Sequence, residues 1–289
     1  MDIAQARTFL EVIASGSFVA AAERLHITQS TVSARIRALE GQLGRSLLDR
    51  GRAGVQMTAA GNQFYRHAAA MVRLWEQARH DVGLPEGMQA TLAIGGHFSL
   101  WQGLLFPWIA ALREAQPTLA LRAEYGFSKD LMQALIDGTV DVAVIYAPEA
   151  RPGFVVEPLL EEELVLASTE SPAPPRPGDG YVFVDWGPEF QRDHRLNFPD
   201  LELPTLNSRL GALSLQFLTA FGGSGYFPRR VVAPGIAAGI LHVNERAPVF
   251  SYPAYMVYPV AAPNEFLDIA LDELRRVAQD AAPDSEGQA

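Results

Sequence analysis

Residues 18–43 read FVAAAERLHITQSTVSARIRALEGQL. The stretch divides into two short helices and a tight turn. In the first, Ala20, Ala21 and Ala22 leave so little side-chain bulk that a second helix can cross closely against it. In the second, Val32, Ile36, Leu39 and Leu43 recur at spacings of four, three and four, which draws one apolar stripe along a 3.6-residue helix. Thr28 stands where an N-cap would close the free amides of that helix, so the turn falls at His26-Ile27-Thr28. The opposite face carries Gln29, Ser30, Thr31, Ser33, Arg35 and Arg37. These are donors and acceptors of the kind that read base edges and phosphates. An ordinary amphipathic helix pair with a solvated polar face fits the same pattern, so the flanking residues decide between the two.

Upstream, Ile3, Ala6, Leu10 and Ile13 share one side of a helix over residues 2–14, with Phe9 and Val12 beside them, and that helix can cover the pair. Downstream, residues 44–58 (GRSLLDRGRAGVQMT) place glycines at 44, 51 and 54 and arginines at 45, 50 and 52, which predicts a two-stranded wing with a basic tip. Arg35, Arg50 and Arg52 are candidates for the DNA backbone. Thr28, Gln29, Ser30, Thr31, Ser33 and Arg37 are candidates for base edges or nearby phosphates. From Thr58 onward Ala60, Phe64, His67, Met71, Leu74 and Ala78 recur at heptad spacing. So long a helix leaving so small a domain needs a cover for its seam, which predicts a dimer through residues 58–80, with His67 a tolerated packing residue. The helix is expected to stop near Gly83, with residues 85–89 a hinge.

The order of helix-turn-helix, wing and long helix, with Leu39-Glu40, Gln42-Leu43-Gly44, Leu47, Arg50, Thr58 and Ala60-Gly61 in register, resembles the N-terminal region of LysR-type transcriptional regulators. Two positions depart from the family: Leu48 stands where phenylalanine is usual, and Ala34 where many members carry an arginine on the recognition helix.

Beyond Gln89 strands alternate with helices, which argues for a parallel sheet with covering helices. The expected strands are 91–95, 119–125, 140–146, two short ones around Glu161-Glu162-Glu163 within 154–169, then 181–185, 203–206, 225–227, 241–243 and 255–258. The expected helices are 99–114, 128–137, 208–221, one near Ile236 and 266–279. Residues 171–180 (SPAPPRPGDG) form a proline-rich loop. Two such subdomains with two crossings, near 162–165 and 258–261, resemble the LysR-type effector-binding domain, itself similar to periplasmic solute-binding proteins. Ser99-Leu100-Trp101 with Asp185-Trp186-Gly187-Pro188 resembles the HdfR subgroup of that family. The expected fold is therefore multidomain: an all-α winged helix-turn-helix over 1–58, a linker helix over 59–84, and an α/β effector domain over 90–280. Within the last, subdomain I takes 90–161 and 262–280, subdomain II 162–261, and 281–289 form a frayed tail.

In open α/β sheets ligands sit at the carboxyl ends of strands, where helix N-termini present free amides. That rule picks His97, Phe98 and Ser99, then Gly126-Phe127-Ser128, then Asn207-Ser208-Arg209, then Gly223-Ser224-Gly225, with Tyr146 and Trp186 as walls. Such a cleft suits a small molecule bearing a carboxylate or another anion. Ser99, Ser128 and Ser208 read equally well as helix caps.

Composition bounds the function. The chain has 289 residues, 48% of them hydrophobic and none of them cysteine, so it can bury two or three cores but has no disulfide, thiol nucleophile or cysteine metal site. No apolar run approaches the ~18 residues of a membrane span, and residues 1–12 have no signal-like order, so a cytoplasmic location is expected. The net charge of −10 is uneven: residues 1–80 hold ten arginines against six acids, +4, and the remainder comes to −14. A polyanion-facing domain joined to an acidic one gives that asymmetry. Catalytic signatures are lacking. Residues 222–226 miss the G-x-S-x-G elbow because Tyr226 takes the last place, no phosphate-binding G-x-x-x-x-G-K-[ST] occurs, and Asp193-His194 reads as a solvated pair. The expected function is a sequence-specific DNA-binding regulator, not an enzyme, with no cofactor. Its expected partners are double-stranded DNA, a small anionic effector and a second copy of the chain, with a homotetramer and RNA polymerase as further candidates. The alternatives are a solute-binding protein and a regulator that needs no ligand.

Overall fold

In the computed structural model, which describes residues 2–51, 54–84, 86–202, 204, 206–260 and 266–281, side chains cap the helices of the first domain, Thr28 as expected and Asp2, Ser17 and Thr58 beside it. Asp2 and Gln5 make a reciprocal capping box ahead of α1 (Ile3–Ser15). Ser17 caps α2 (Phe18–Arg24), and Thr28 Oγ1 accepts from the Thr31 amide 3.2 Å away at the start of α3 (Gln29–Leu43). Each cap answers amides that a helix leaves without a partner at its first turn. Ala21 and Ala22 are buried with Val32, Ile36 and Leu39. The turn between them passes through His26 at φ 53°.

After α3, Glu40 Oε1 accepts from the amides of Leu47 and Leu48 at 2.8 and 3.2 Å, which fixes the entry to the wing, β1 (Leu48–Gly51) antiparallel to β2 (Gly54–Met57). Thr58 then caps α4 (Ala59–Val82), its hydroxyl donating to Ser46 O at 2.7 Å and accepting from the Gly61 amide at 3.0 Å. Gly61 is needed for space: a Cβ there would run into the Leu47 carbonyl.

The second half of the molecule is one nine-stranded mixed sheet, ordered β4-β3-β5-β11-β6-β9-β7-β8 with β10 on β6. Its strands are β3 (Ala90–Gly96), β4 (Leu119–Tyr125), β5 (Val142–Tyr146), β6 (Phe154–Ser168), β7 (Tyr181–Val184), β8 (Leu206–Ser208), β9 (Ser224–Pro228), β10 (His242–Val243) and β11 (Phe250–Pro259). Strands β3, β4 and β5 run parallel, as do β7, β8 and β9. The antiparallel pair β6/β11 joins the two sets. The helices are α5 (Phe106–Ala115), α6 (Ser128–Asp137), α7 (Pro188–Asn197), α8 (Gly211–Phe221), α9 (Arg229–Ala237) and α10 (Leu267–Ala281). One core lies under α5 and α10, another under α7 and α9. The third is shared, because α6 and the inner stripe of α4 bury Met132, Leu135 and Ile136 against Tyr65, Ala68 and Val72.

Several expectations change. Residues 154–168 are one strand, because β11 pairs along nearly its whole length and carries the acidic run across the junction. By Ala254 β11 already pairs with β5, so the second crossing lies upstream of 258–261. The helix expected over 99–114 is broken. Gln102 and Gly103 leave helical geometry, Gly103 at φ 74°, and α5 restarts with Pro107 in its first turn, where proline costs no hydrogen bond. Helix α7 was not expected at all, since its sequence PEFQRDHRLN offers only Phe190 and His194 to the core. Of the hinge, residue 85 lies outside the described residues, as do 203 and 205 of the strand expected over 203–206, 261–265, and 282–289 of the tail. No described helix is long and apolar enough to cross a membrane.

Gly61→Ala is expected to destabilise the first domain by about 1–3 kcal/mol, the cost of forcing a methyl into a packed site. Thermal unfolding followed at 222 nm measures it, and a variant as stable as the parent would contradict the close approach.

Candidate DNA-reading face and effector cleft

The polar face of α3 carries a three-residue ladder, with Ser30 beside it bonded to Thr28 at 2.8 Å. Gln29 Nε2 donates to Ser33 Oγ at 3.2 Å and Arg37 Nε to the Ser33 carbonyl at 3.3 Å. Gln29, Ser30 and Arg37 are exposed and Ser33 is half-buried. Their neighbours have other duties. Thr28 and Thr31 share a hydroxyl hydrogen bond of 2.8 Å within the cap, and Arg35 turns toward α1, donating to Thr8 Oγ1 at 3.3 Å. Arg50 lies in β1 at the start of the wing, and Arg52 lies outside the described residues.

The residues expected to form the dimer seam do not share one environment. Phe64 is buried, its ring 5.3 Å from Phe9, and Ala60 is half-buried against the same core. Met71 is half-buried, whereas His67, Leu74 and Ala78 are exposed. A straight α-helix drifts ~20° per heptad against a 3.5-residue repeat. The seam therefore starts in the chain's own core and emerges from it. Its open end continues into Trp75 and Val82, 49% and 91% exposed.

Between the subdomains a cavity of about 790 Å3 is lined by His97, Phe127, Ser128, Tyr146, Asp185, Trp186, Arg209 and Tyr252, and continues past α6 to Glu11 and Arg24 of the first domain. Of the residues expected at the cleft, His97, Phe127, Ser128, Tyr146, Trp186 and Arg209 line it. Ser99 is buried directly behind, its hydroxyl 3.0 Å from His97 Nδ1 and 3.2 Å from the Tyr146 hydroxyl. Phe98 turns out to solvent against Tyr125, ring centres 6.0 Å apart. Asn207 is exposed on β8 and Ser208 accepts from the Leu210 amide at 3.0 Å. Ser224 is buried between β6 and β7. These last four are not at the cavity: the subdomains meet at the carboxyl ends of β5, β7 and β8, where Arg209 and not Asn207 or Ser208 faces the space, and Ser224 sits at the opposite, amino end of β9.

Tyr252 was missed, although Phe250 and Tyr252 alternate as a strand facing a core would. It stacks on Tyr146 at 3.9 Å and 22° and meets Trp186 edge to face at 5.6 Å. Also missed was the ion pair behind the cleft. Arg230 Nε donates to Glu162 Oε1 at 2.7 Å, and the same guanidinium donates to the carbonyls of Ser99, at 3.0 Å, and Gln102. Glu162, buried, also accepts from the Tyr146 hydroxyl. The donors therefore run in order: Ser99 donates to Tyr146 and Tyr146 to Glu162. Ser99 Oγ is thus left to accept from His97 Nδ1–H, and His97 Nε2 keeps its lone pair.

Burial pulls His97 down to about 4, helped by the positive charge of Arg209. Burial alone pulls His194 down to about 4. His194, expected to be solvated beside Asp193, lies on the inner side of α7, 2.8 Å from the Tyr181 hydroxyl and ringed by Phe190, Phe198 and Phe250. Among the described residues no cluster of His, Cys, Asp and Glu could hold a metal ion.

This combination of a capped helix-turn-helix with a wing, a long linker helix and a two-subdomain cleft is that of a ligand-responsive DNA-binding protein. Residues 3–62 match the bacterial regulatory helix-turn-helix proteins of the lysR family, and residues 85–181 match the LysR substrate binding domain. The HTH-type transcriptional regulator HdfR of Salmonella schwarzengrund is 31% identical over 261 residues, 89% of this chain and 92% of that one. HdfR of Yersinia enterocolitica is 31% identical over 240 residues, 79% and 81% of the two chains. Among solved structures, a point variant of full-length OxyR from Pseudomonas aeruginosa superposes with a TM-score of 0.59 at 19% identity, covering 100% of this chain and 99% of that one. LysG from Corynebacterium glutamicum with bound effector Arg does so with 0.59 at 22%, covering 97% and 99%. The chain belongs to the LysR family of transcriptional regulators, a family of DNA-binding proteins and not of enzymes.

Both lowered histidines bind fewer protons folded than unfolded between pH 4 and 6.5, so the stability they contribute is full above pH 6.5 and is lost as the pH falls toward 4. In a urea series over that window, His194→Phe is expected to flatten the fall of the unfolding midpoint. An unchanged slope would contradict the buried neutral histidine.

Proposed function

We propose that the ladder Gln29, Ser33 and Arg37, with Ser30 beside it, reads operator bases, with Arg50 and Arg52 on the phosphates and Thr28, Thr31 and Arg35 holding the helix that presents them. The observation that carries this reading is the exposed polar face of α3 beside a basic wing, within residues 1–80 of net charge +4 on a chain of −10. A phosphate-facing surface gains affinity from counterion release, and base-edge contacts add discrimination. Ala34 offers no hydrogen bond, so base preference rests on fewer side chains than a helix with arginine there would supply.

The open stripe of α4 (His67, Met71, Leu74, Trp75, Ala78) pairs with a second copy of the chain, and the dimer presents two reading heads to a two-fold operator. A small anionic effector binds between the subdomains, where Arg209 and the free amides of α6 supply positive potential. A ligand that prefers one closure of the cleft biases the spacing of the two heads. Homotetramer formation and contact with RNA polymerase are consistent extensions, and the cell compartment is the cytoplasm, where the DNA is.

The test is binding to the DNA upstream of the chain's own gene, followed by fluorescence anisotropy. Ser33→Ala is expected to lower discrimination against random duplex by about 1–3 kcal/mol, and Arg50→Ala to weaken both duplexes and shrink the salt slope by about one. Equal losses on both duplexes for the two variants would remove the base-reading assignment.

A further inference from the structure

We propose that the ligand of the cleft is a planar aromatic carboxylate, held chiefly by stacking among rings contributed from both subdomains. The inference rests on the reading of this cleft as the effector site and names the chemistry it selects.

The walls carry the argument. Between the subdomains, the apolar side chains lining the cavity are His97, Phe127, Tyr146, Trp186 and Tyr252, with Ala147 and Pro188 as the aliphatic exceptions; Met132 and Ile136 line its far end, by the first domain. The rings form one assembly. Tyr252 stacks on Tyr146, Trp186 stands at 65° to Tyr252, and His97 stands at 77° to Tyr146 with centres 5.1 Å apart. His97 also meets the Phe127 ring at 6.1 Å. A branched aliphatic ligand would gain burial against any apolar wall, but a flat ring gains the additional offset-stacked and edge-to-face contacts that such an assembly offers. The aromatic end is one part of a cavity of about 790 Å3 that runs on past α6 to the first domain.

Rings attract cations as well as rings, so charge decides the ligand's polar end. Arg209 already stands 4.8 Å above the Phe127 ring, and its charge is felt at His97. The acids at this end are engaged. Asp185 accepts through Oδ1 from the Gly187 amide at 3.0 Å and from Gln191 at 2.7 Å, and its Oδ2 stands 3.8 Å from Arg209 Nε, beyond hydrogen-bond distance, which leaves the guanidinium able to donate to a ligand. Glu162 is neutralised by Arg230, and Glu149 is paired with Arg151 at 2.5 Å. At the α6 N-terminus Lys129 and Asp130 offset one another. An aromatic cation would therefore meet Arg209 as a like charge, whereas a carboxylate meets it as a partner.

The experiment uses the full-length protein and reads thermal shift and tryptophan fluorescence with benzoate, salicylate, cyclohexanecarboxylate, benzylamine and succinate at equal concentrations. Benzoate or salicylate is expected to raise the unfolding temperature. Cyclohexanecarboxylate, which keeps the charge and size but not the flat ring, is expected to bind at least tenfold more weakly, and benzylamine not at all. Phe127→Leu and Arg209→Gln, both at accessible positions, should each weaken benzoate about tenfold with an unchanged circular dichroism spectrum. Equal binding of cyclohexanecarboxylate, preference for benzylamine, or a shift by succinate alone would overturn the aromatic class while leaving the effector cleft in place. No shift by any acid, from folded protein that still retards DNA, would overturn both.

Discussion

Helix α4 has more apolar surface than its own domain can cover, and the molecule is arranged around that surplus. Its inner stripe, Phe64, Tyr65, Ala68, Ala69 and Val72, is buried in a core shared by α1 on one side and α6 on the other. One ion pair and one ring contact hold it there: Glu76, buried, pairs with Arg7 of α1, and the Arg73 guanidinium, buried beside Gly138, lies 5.3 Å over the Phe154 ring. Among the described residues nothing covers the outer stripe, where Leu74 and Trp75 are exposed. The reading domain precedes α4 in the chain and the effector domain follows it, and the account of regulation depends on what that helix can pair with.

Helix α6 makes the second connection. Its first turn lines the cleft through Ser128, and its last residues pack beside α1, so one ten-residue helix touches both the ligand-binding region and the reading domain. Behind the cleft, the chain from His97 through Ser99, Tyr146 and Glu162 ends on Arg230, which bonds to the carbonyls of Ser99 and Gln102 across the subdomain boundary. A group that disturbs His97 or Tyr146 acts on a network that already holds the subdomains together. Fully satisfied polar networks of this kind are stiff and respond as a unit.

How much was legible in the sequence follows from how local each feature is. The first domain was readable almost residue by residue, because Thr28, Thr58, Gly44 and the alanine run act within a turn or two of where they stand. The alternation of β3 through β5 was equally plain. The cleft is half legible: the rule that places ligands at strand ends finds His97, Phe127, Ser128, Tyr146 and Arg209, but it cannot say which side chain at a strand end faces the junction, so Asn207 and Ser208 come with Arg209, Ser224 sits at the wrong end of β9, and Tyr252, inside β11, has no strand end to mark it. The Arg230–Glu162 pair joins residues 68 positions apart and leaves no spacing to detect. The α4 seam misled in one respect, since heptad spacing is satisfied both by a stripe facing the same chain and by one facing another.

The claim on which the rest turns is that the outer stripe of α4 is covered by a second copy. Sedimentation equilibrium of the full chain and of Leu74→Glu measures it directly. The account predicts a parent of at least twice the 31.5 kDa chain mass and a variant that shifts toward the single-chain mass with its circular dichroism spectrum intact. A monomeric parent, or a variant whose mass is unchanged, would contradict it.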